Sequence, residues 1–191
     1  VGGVSGTVIA VVGNPKPDSR TLRAARTLAD ALGAAAGLPV IAAVDLATLA
    51  EGLLAPWRQS PEAIAAGEST RAASLAVVAT PTYKASYSGL LKLFLDTFPA
   101  GSLSSTVVVP LTVAGGPAHR HLADLQLRPV LAELGAVVPA PSLLLEESDL
   151  DVLADLVAAY VERHGRLLAA AVTALQPATP PSIAPSIAPS T

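Results

Sequence analysis

Short apolar runs alternate along the chain with longer segments in which apolar residues recur every three or four positions. The run TVIAVV at 7–12 is uninterrupted, rich in β-branched residues and closed by Gly13, which predicts a strand buried on both faces. Leu22, Ala25, Leu28, Ala29 and Leu32 then stand at helical spacing and predict a helix over 21–32. The same reading predicts strands at 39–44, 75–79, 106–109 and 137–145, and helices at 61–73, 88–98, 117–134 and 149–175. Pro110 is expected either to stop the fourth strand or to bend it, with the strand then resuming through Val113, and Pro139 and Pro141 interrupt the fifth. Gly135 suits a left-handed cap after 117–134. Ser148 and Asp151 have capping-box spacing at the start of the last helix, where Glu146, Glu147, Asp149 and Asp151 are expected to serve the helix dipole.

Five β–α units of this kind predict an α/β fold with an open, five-stranded parallel sheet covered by helices on both faces, because parallel neighbours need crossover connections. Residues 1–175 form one expected domain. Residues 176–191 differ in kind: they are rich in Pro, Ser and Ala, repeat SIAP at 182–185 and 186–189, and predict a flexible tail.

Composition narrows the function. A chain that is 51% hydrophobic and 14% charged has ample material for a core. The long uncharged stretch from Thr97 to His119 is interrupted by Pro99, Pro110, Gly115, Gly116 and Pro117, so no spanning helix is expected there. No basic segment precedes the first apolar run, so no signal peptide and a cytoplasmic location are expected. Twelve basic and fifteen acidic residues give a net charge of −3, with no basic stripe, which argues against nucleic-acid binding. The absence of cysteine excludes disulfides, thiolate catalysis and iron–sulfur ligation, leaving any redox role to a bound or visiting cofactor.

Ligands of open parallel sheets sit beyond the carboxyl ends of the strands, which directs attention to the loops after strands one, three and four. The first, GNPKPDSRT at 13–21, runs straight into a helix. Free N–H groups there, the hydroxyls of Ser19 and Thr21, and the charges of Lys16 and Arg20 together suit a phosphate. It is neither a Walker A loop nor a G-x-G-x-x-G turn, and the plainer alternative has Ser19 simply capping the helix. The second loop, PTYKASYSG at 81–89, holds two of the chain's three tyrosines. Backbone amides beside Pro81 suit a planar heterocycle, with Tyr83 flanking it; alternatively Ser88 caps the next helix and Tyr87 packs at a subunit contact. In the third, AGGPAH at 114–119, Gly115 and Gly116 permit close approach of backbone to a ligand, or make a tight turn.

Taken in this order, VVGNPKPDSRTLRAA, ATPTYKASYSGLLKLFLD and LTVAGGPAHRHLADLQLRPVLAELGA resemble the NADPH-dependent FMN reductase family of the flavodoxin-like superfamily. The likeness is greatest to the reductase components of two-component alkanesulfonate monooxygenase systems and runs from Thr7 to Leu175. It implies a flavodoxin-like three-layer sandwich. It also implies that Asn14, Lys16, Ser19, Arg20 and Thr21 surround the FMN phosphate, that Pro81, Thr82, Tyr83 and Lys84 line the isoalloxazine and ribityl region, and that Gly115 and Gly116 close the other side. Asn14 and Lys16 depart from the serine and arginine usual in the family, and lysine offers a point charge in place of a bidentate fork. The implied reaction is hydride transfer from NADPH or NADH to FMN, with no catalytic acid or base. The implied partners are a homodimer or homotetramer of the chain and a monooxygenase that receives reduced flavin. Competing readings are a quinone- or azo-type oxidoreductase with tightly bound FMN, and a non-enzymatic electron carrier.

Other groups carry less. His119 and His121 diverge on a helix, and His164 is read as lone and solvated, so no histidine metal site is expected. Ser86 and Ser88 lie near Lys84 without forming a triad pattern. Trp57 either packs a loop or lies near the nucleotide entrance.

Overall fold

Five parallel strands form one sheet in the order β2-β1-β3-β4-β5: β1 (Val8–Val12), β2 (Val40–Asp45), β3 (Leu75–Pro81), β4 (Val107–Ala114) and β5 (Leu143–Glu146). The computed structural model describes residues 6–55 and 58–176, so Trp57 and the segment with the SIAP repeat lie outside the described residues. The helices are α1 (Arg20–Ala36), α2 (Ala50–Leu53), α3 (Pro61–Ala72), α4 (Gly89–Leu95), α5 (Leu122–Glu133) and α6 (Leu153–Leu175). This strand order is that of the flavodoxin-like doubly wound fold, with its switch point between β1 and β3.

Every residue of β1, β3 and β4 is buried, because both faces of the sheet are covered. Successive side chains alternate between two cores. Val8, Ala10 and Val12 join a cluster with Leu22, Leu28 and Leu32 of α1 and Val157 and Leu168 of α6. Ile9 and Val11 join Ala63 of α3, Phe94 of α4 and Leu127 of α5 on the other face. None of the described helices is long and apolar enough to cross a membrane.

The departures from expectation have local causes. β4 runs unbroken through Pro110. Val107 donates its N–H to Ser74 O towards β3 and Val108 donates to Val137 O on the other side, so by alternation the absent N–H of Pro110 falls on the β5 side. There β5 pairs only from Leu111 onward, so no ladder bond is lost. β5 itself begins at Leu143, six residues later than expected: Val137 makes an isolated bridge to Val107, and the prolines that follow carry no N–H for a ladder. Helix 117–134 divides into a 3-10 turn at Pro117–His119 and α5, and Gly135 takes the expected positive φ of 80°.

The expected Ser148–Asp151 box is replaced by a reciprocal pair two residues earlier. The Glu146 and Asp149 side chains bond each other's backbone across the 3-10 turn Glu147–Asp151, and α6 starts only at Leu153. His164 is not solvated: it is half-buried, with its ring 4.8 Å from that of Tyr160.

A candidate flavin cleft

β1 ends at Gly13, and the next turn is held open by its own side chains. Asn14 is buried; its amide donates to Thr21 Oγ1 at 3.1 Å and its carbonyl oxygen accepts from the Lys16 N–H at 3.0 Å. Asp45, at the end of β2, accepts from the Asp18 N–H at 3.1 Å and so braces the far side of the loop. Asp18 itself takes a φ of 50°, an uncommon conformation for a residue with a side chain. Ser19 caps α1, accepting from Leu22 N at 3.2 Å. The capping alternative is therefore realised. It does not compete with anion binding, because a capped N-terminus still presents further free N–H groups and the positive end of the helix dipole.

The second loop leaves β3 at Pro81. Thr82 donates its N–H to Val113 O at 2.9 Å, tying the loop to β4. Tyr83 and Ser86 then exchange backbone hydrogen bonds at 2.8 and 3.0 Å around Lys84 and Ala85, whose φ values are 48° and 65°. Two adjacent positive-φ residues make a reversal of the type I′ kind, here built without glycine. It projects Tyr83 outward, 48% exposed, over the end of the sheet. Tyr87 turns back and packs, half-buried, against the core on the α3–α5 face, and burial raises its phenol above the ordinary tyrosine value while nearby Lys92 opposes the shift.

These loops meet at a cleft of about 500 Å³ beyond the carboxyl ends of the strands. Of the residues singled out from sequence, Asn14, Lys16, Ser19, Arg20, Thr21, Pro81, Thr82, Tyr83 and Gly115 line it. Lys84 stands at the exposed tip of the reversal and Gly116 leads into the following 3-10 turn; neither lines the cleft. Asp18, Val113 and Glu147 complete the wall. Glu147 does stand in the first turn of the 3-10 segment Glu147–Asp151, as the helix-start reading expects, and it also pairs with Arg20 at 2.8 Å in the cleft wall. The signal that points to it is its place at the carboxyl end of β5, the same end of the sheet as the other site loops.

The donor set suits a phosphorylated, planar ligand. One end offers the α1 N-terminus with Lys16 and Arg20. The other offers the Pro81–Tyr83 backbone, and there the Thr82 hydroxyl is buried without a hydrogen-bond partner among the described residues. A Cβ built at Gly115 or Gly116 meets nothing within 4 Å, so the space beside the glycine pair is open. Both features fit FMN, whose phosphate, ribityl hydroxyls and flat ring need an anion site, polar groups and a clear face.

A model of the family described as NADPH-dependent FMN reductase matches residues 7–149. The chain is 32% identical over 146 residues to an FMN reductase (NADPH) of Pseudomonas aeruginosa, covering 75% of this chain and 78% of that one. It is 43% identical over 86 residues to the Escherichia coli FMN reductase (NADPH), a match spanning 45% of each. The apo structure of an NADH:FMN oxidoreductase, EMOB, superposes with a TM-score of 0.74 at 30% identity and 92% coverage of both chains.

Proposed function

Because the chain belongs to the NADPH-dependent FMN reductase family, we propose that it reduces FMN with NADPH or NADH, taking the flavin as a substrate and releasing it reduced. The observation that carries this reading is the cleft that joins the cationic N-terminus of α1 to the Pro81–Tyr83 loop. Lys16, Arg20 and the free N–H groups of α1 would hold the phosphate, with Asn14 and Thr21 keeping the loop in shape. Pro81, Thr82 and Tyr83 would hold the ring and ribityl chain on one side, with Gly115 and Gly116 leaving the other side clear. Lys84, on the exposed tip of its turn and outside the cleft wall, would serve only the edge of the ligand. Bound flavin supplies the chemistry, accepting hydride from the nicotinamide. The chain's own residues position the rings and keep water from the contact.

Both NADPH and NADH are carried in the proposal, since relatives described as FMN reductase (NADPH) and as NADH-dependent FMN reductase SfnF both match. Assembly as a homodimer or homotetramer, and delivery of reduced flavin to a flavin-dependent monooxygenase, belong to the same proposal and rest on the family resemblance. The test is anaerobic: catalytic protein with excess NADPH or NADH should bleach the visible absorbance of a large excess of FMN over many turnovers. Bleaching limited to one equivalent per chain would instead indicate a retained flavin.

A further inference from the structure

One feature of the cleft works against binding a phosphate. The charged groups of its wall are Lys16 and Arg20 together with Asp18 and Glu147, so the cations are matched by carboxylates. Glu147 Oε1 lies 2.8 Å from Arg20 Nη2. One turn further along α1, Arg23 Nη2 donates to Leu150 O at 3.2 Å, so the 147–151 turn grips α1 at two points. The turn is itself fixed by the Glu146–Asp149 pair and by Arg120, which donates to Leu144 O at 3.0 Å and meets Glu146 at 3.5 Å. Glu147 therefore projects from an anchored backbone at a set place beside the anion site.

A carboxylate and a phosphate compete for the same guanidinium donors. A phosphate monoester carries about −1.5 to −2 charges near neutral pH, so it must draw Arg20 from Glu147 and then sit beside a fixed negative charge. A flavin without a phosphate meets neither obstacle. Resting on the phosphate reading given above, we propose that Glu147 is a specificity-determining residue that holds FMN affinity down through Arg20, so that the phosphorylated flavin exchanges between turnovers. The pair is half-exposed, so the effect is a matter of several-fold in affinity.

The experiment titrates the flavin-free full chain with FMN and separately with riboflavin, reading flavin fluorescence. Wild type, Glu147→Gln, Arg20→Ala, the double variant and Glu162→Gln are compared at low and moderate salt. Glu162 lies on the exposed side of α6 and controls for net charge alone. Glu147→Gln should bind FMN about two- to fivefold more tightly. Riboflavin affinity should stay unchanged, Glu162→Gln should match wild type, and the gain should shrink in the Arg20→Ala background and with added salt. Unchanged or weaker FMN binding in Glu147→Gln overturns the proposal. So does an equal gain for riboflavin, or a gain that survives Arg20→Ala in full. If neither wild type nor Glu147→Gln prefers FMN over riboflavin, the phosphate reading itself falls and this inference falls with it; a wild-type preference that Glu147→Gln leaves untouched removes this inference alone.

Discussion

The Ser88 hydroxyl donates to the Gly13 carbonyl oxygen, joining the start of α4 to the end of β1 across 75 residues of sequence. The Ser88 Oγ also accepts from Leu91 N at 3.1 Å, and the Ser88 N–H donates to Thr80 Oγ1 at 3.0 Å. One buried serine thus caps a helix and locks together two of the loops that wall the cleft. Its replacement by alanine removes the cap and leaves the Gly13 carbonyl without this donor. Ser88→Ala is expected to lower stability by about 1–3 kcal/mol, read as a shift of the urea midpoint, and Ser88→Thr should recover part of it. An unchanged midpoint in Ser88→Ala would remove the locking role.

Gly13 and Gly115 should separate folding from binding. A Cβ at Gly13 would stand 2.4 Å from Leu91 Cβ and 3.2 Å from Leu91 Cα, so α4 packs directly on the strand end. Gly13→Ala is therefore expected to cost about 1–3 kcal/mol through overpacking. A Cβ at Gly115 meets nothing within 4 Å, so Gly115→Ala should melt like wild type yet bind FMN and riboflavin more weakly. Full flavin affinity in a well-folded Gly115→Ala would take the glycine pair out of the site.

Lys16 tests the phosphate end alone. Lys16 is exposed and lines the cleft beside the N-terminus of α1, so Lys16→Ala should weaken FMN by about 1 kcal/mol, roughly fivefold, and leave riboflavin nearly unaffected. Raising the salt concentration should narrow the gap between wild type and variant. Equal weakening of both flavins would contradict the assignment.

Tyr160 gives the fold a pH signature far from the cleft. Its hydroxyl donates to Pro141 O at 2.7 Å, and burial pushes its pKa from 10.0 up to about 12 despite nearby Arg128. The folded state therefore favours the neutral phenol. This contribution is full below the unfolded value near 10 and is lost as pH rises towards 12. Difference spectra at alkaline pH should show a last-titrating tyrosine, near 12, that Tyr160→Phe abolishes. The same variant should lower stability at neutral pH by about 1 kcal/mol by leaving the Pro141 carbonyl unpaired.

β1, β3 and β4 were legible in the sequence because burial on both faces demands uninterrupted apolar residues, and α1 because its apolar stripe follows the helical period. The three site loops were legible because small and charged residues collect at strand ends. What stayed hidden depends on contacts distant in sequence. Asp45 braces Asp18 from 27 residues away, and Glu147 reaches Arg20 only once β5 and α6 are placed. The reversal at Lys84 and Ala85 escaped because neither residue advertises a positive φ. The shift of β5 to Leu143 follows from prolines visible in the sequence, but the bridge that leaves Val137 isolated is a property of the assembled sheet.

The most direct test of the FMN reductase reading is the oxidation of NADPH and of NADH by flavin-free protein, followed by nicotinamide absorbance with and without free FMN. Saturable oxidation that depends on added FMN, with many turnovers per chain, is the expected result. No oxidation of either nucleotide with FMN present would contradict the reading, and oxidation by a yellow protein that requires a quinone and ignores free FMN would replace it with a bound-flavin oxidoreductase.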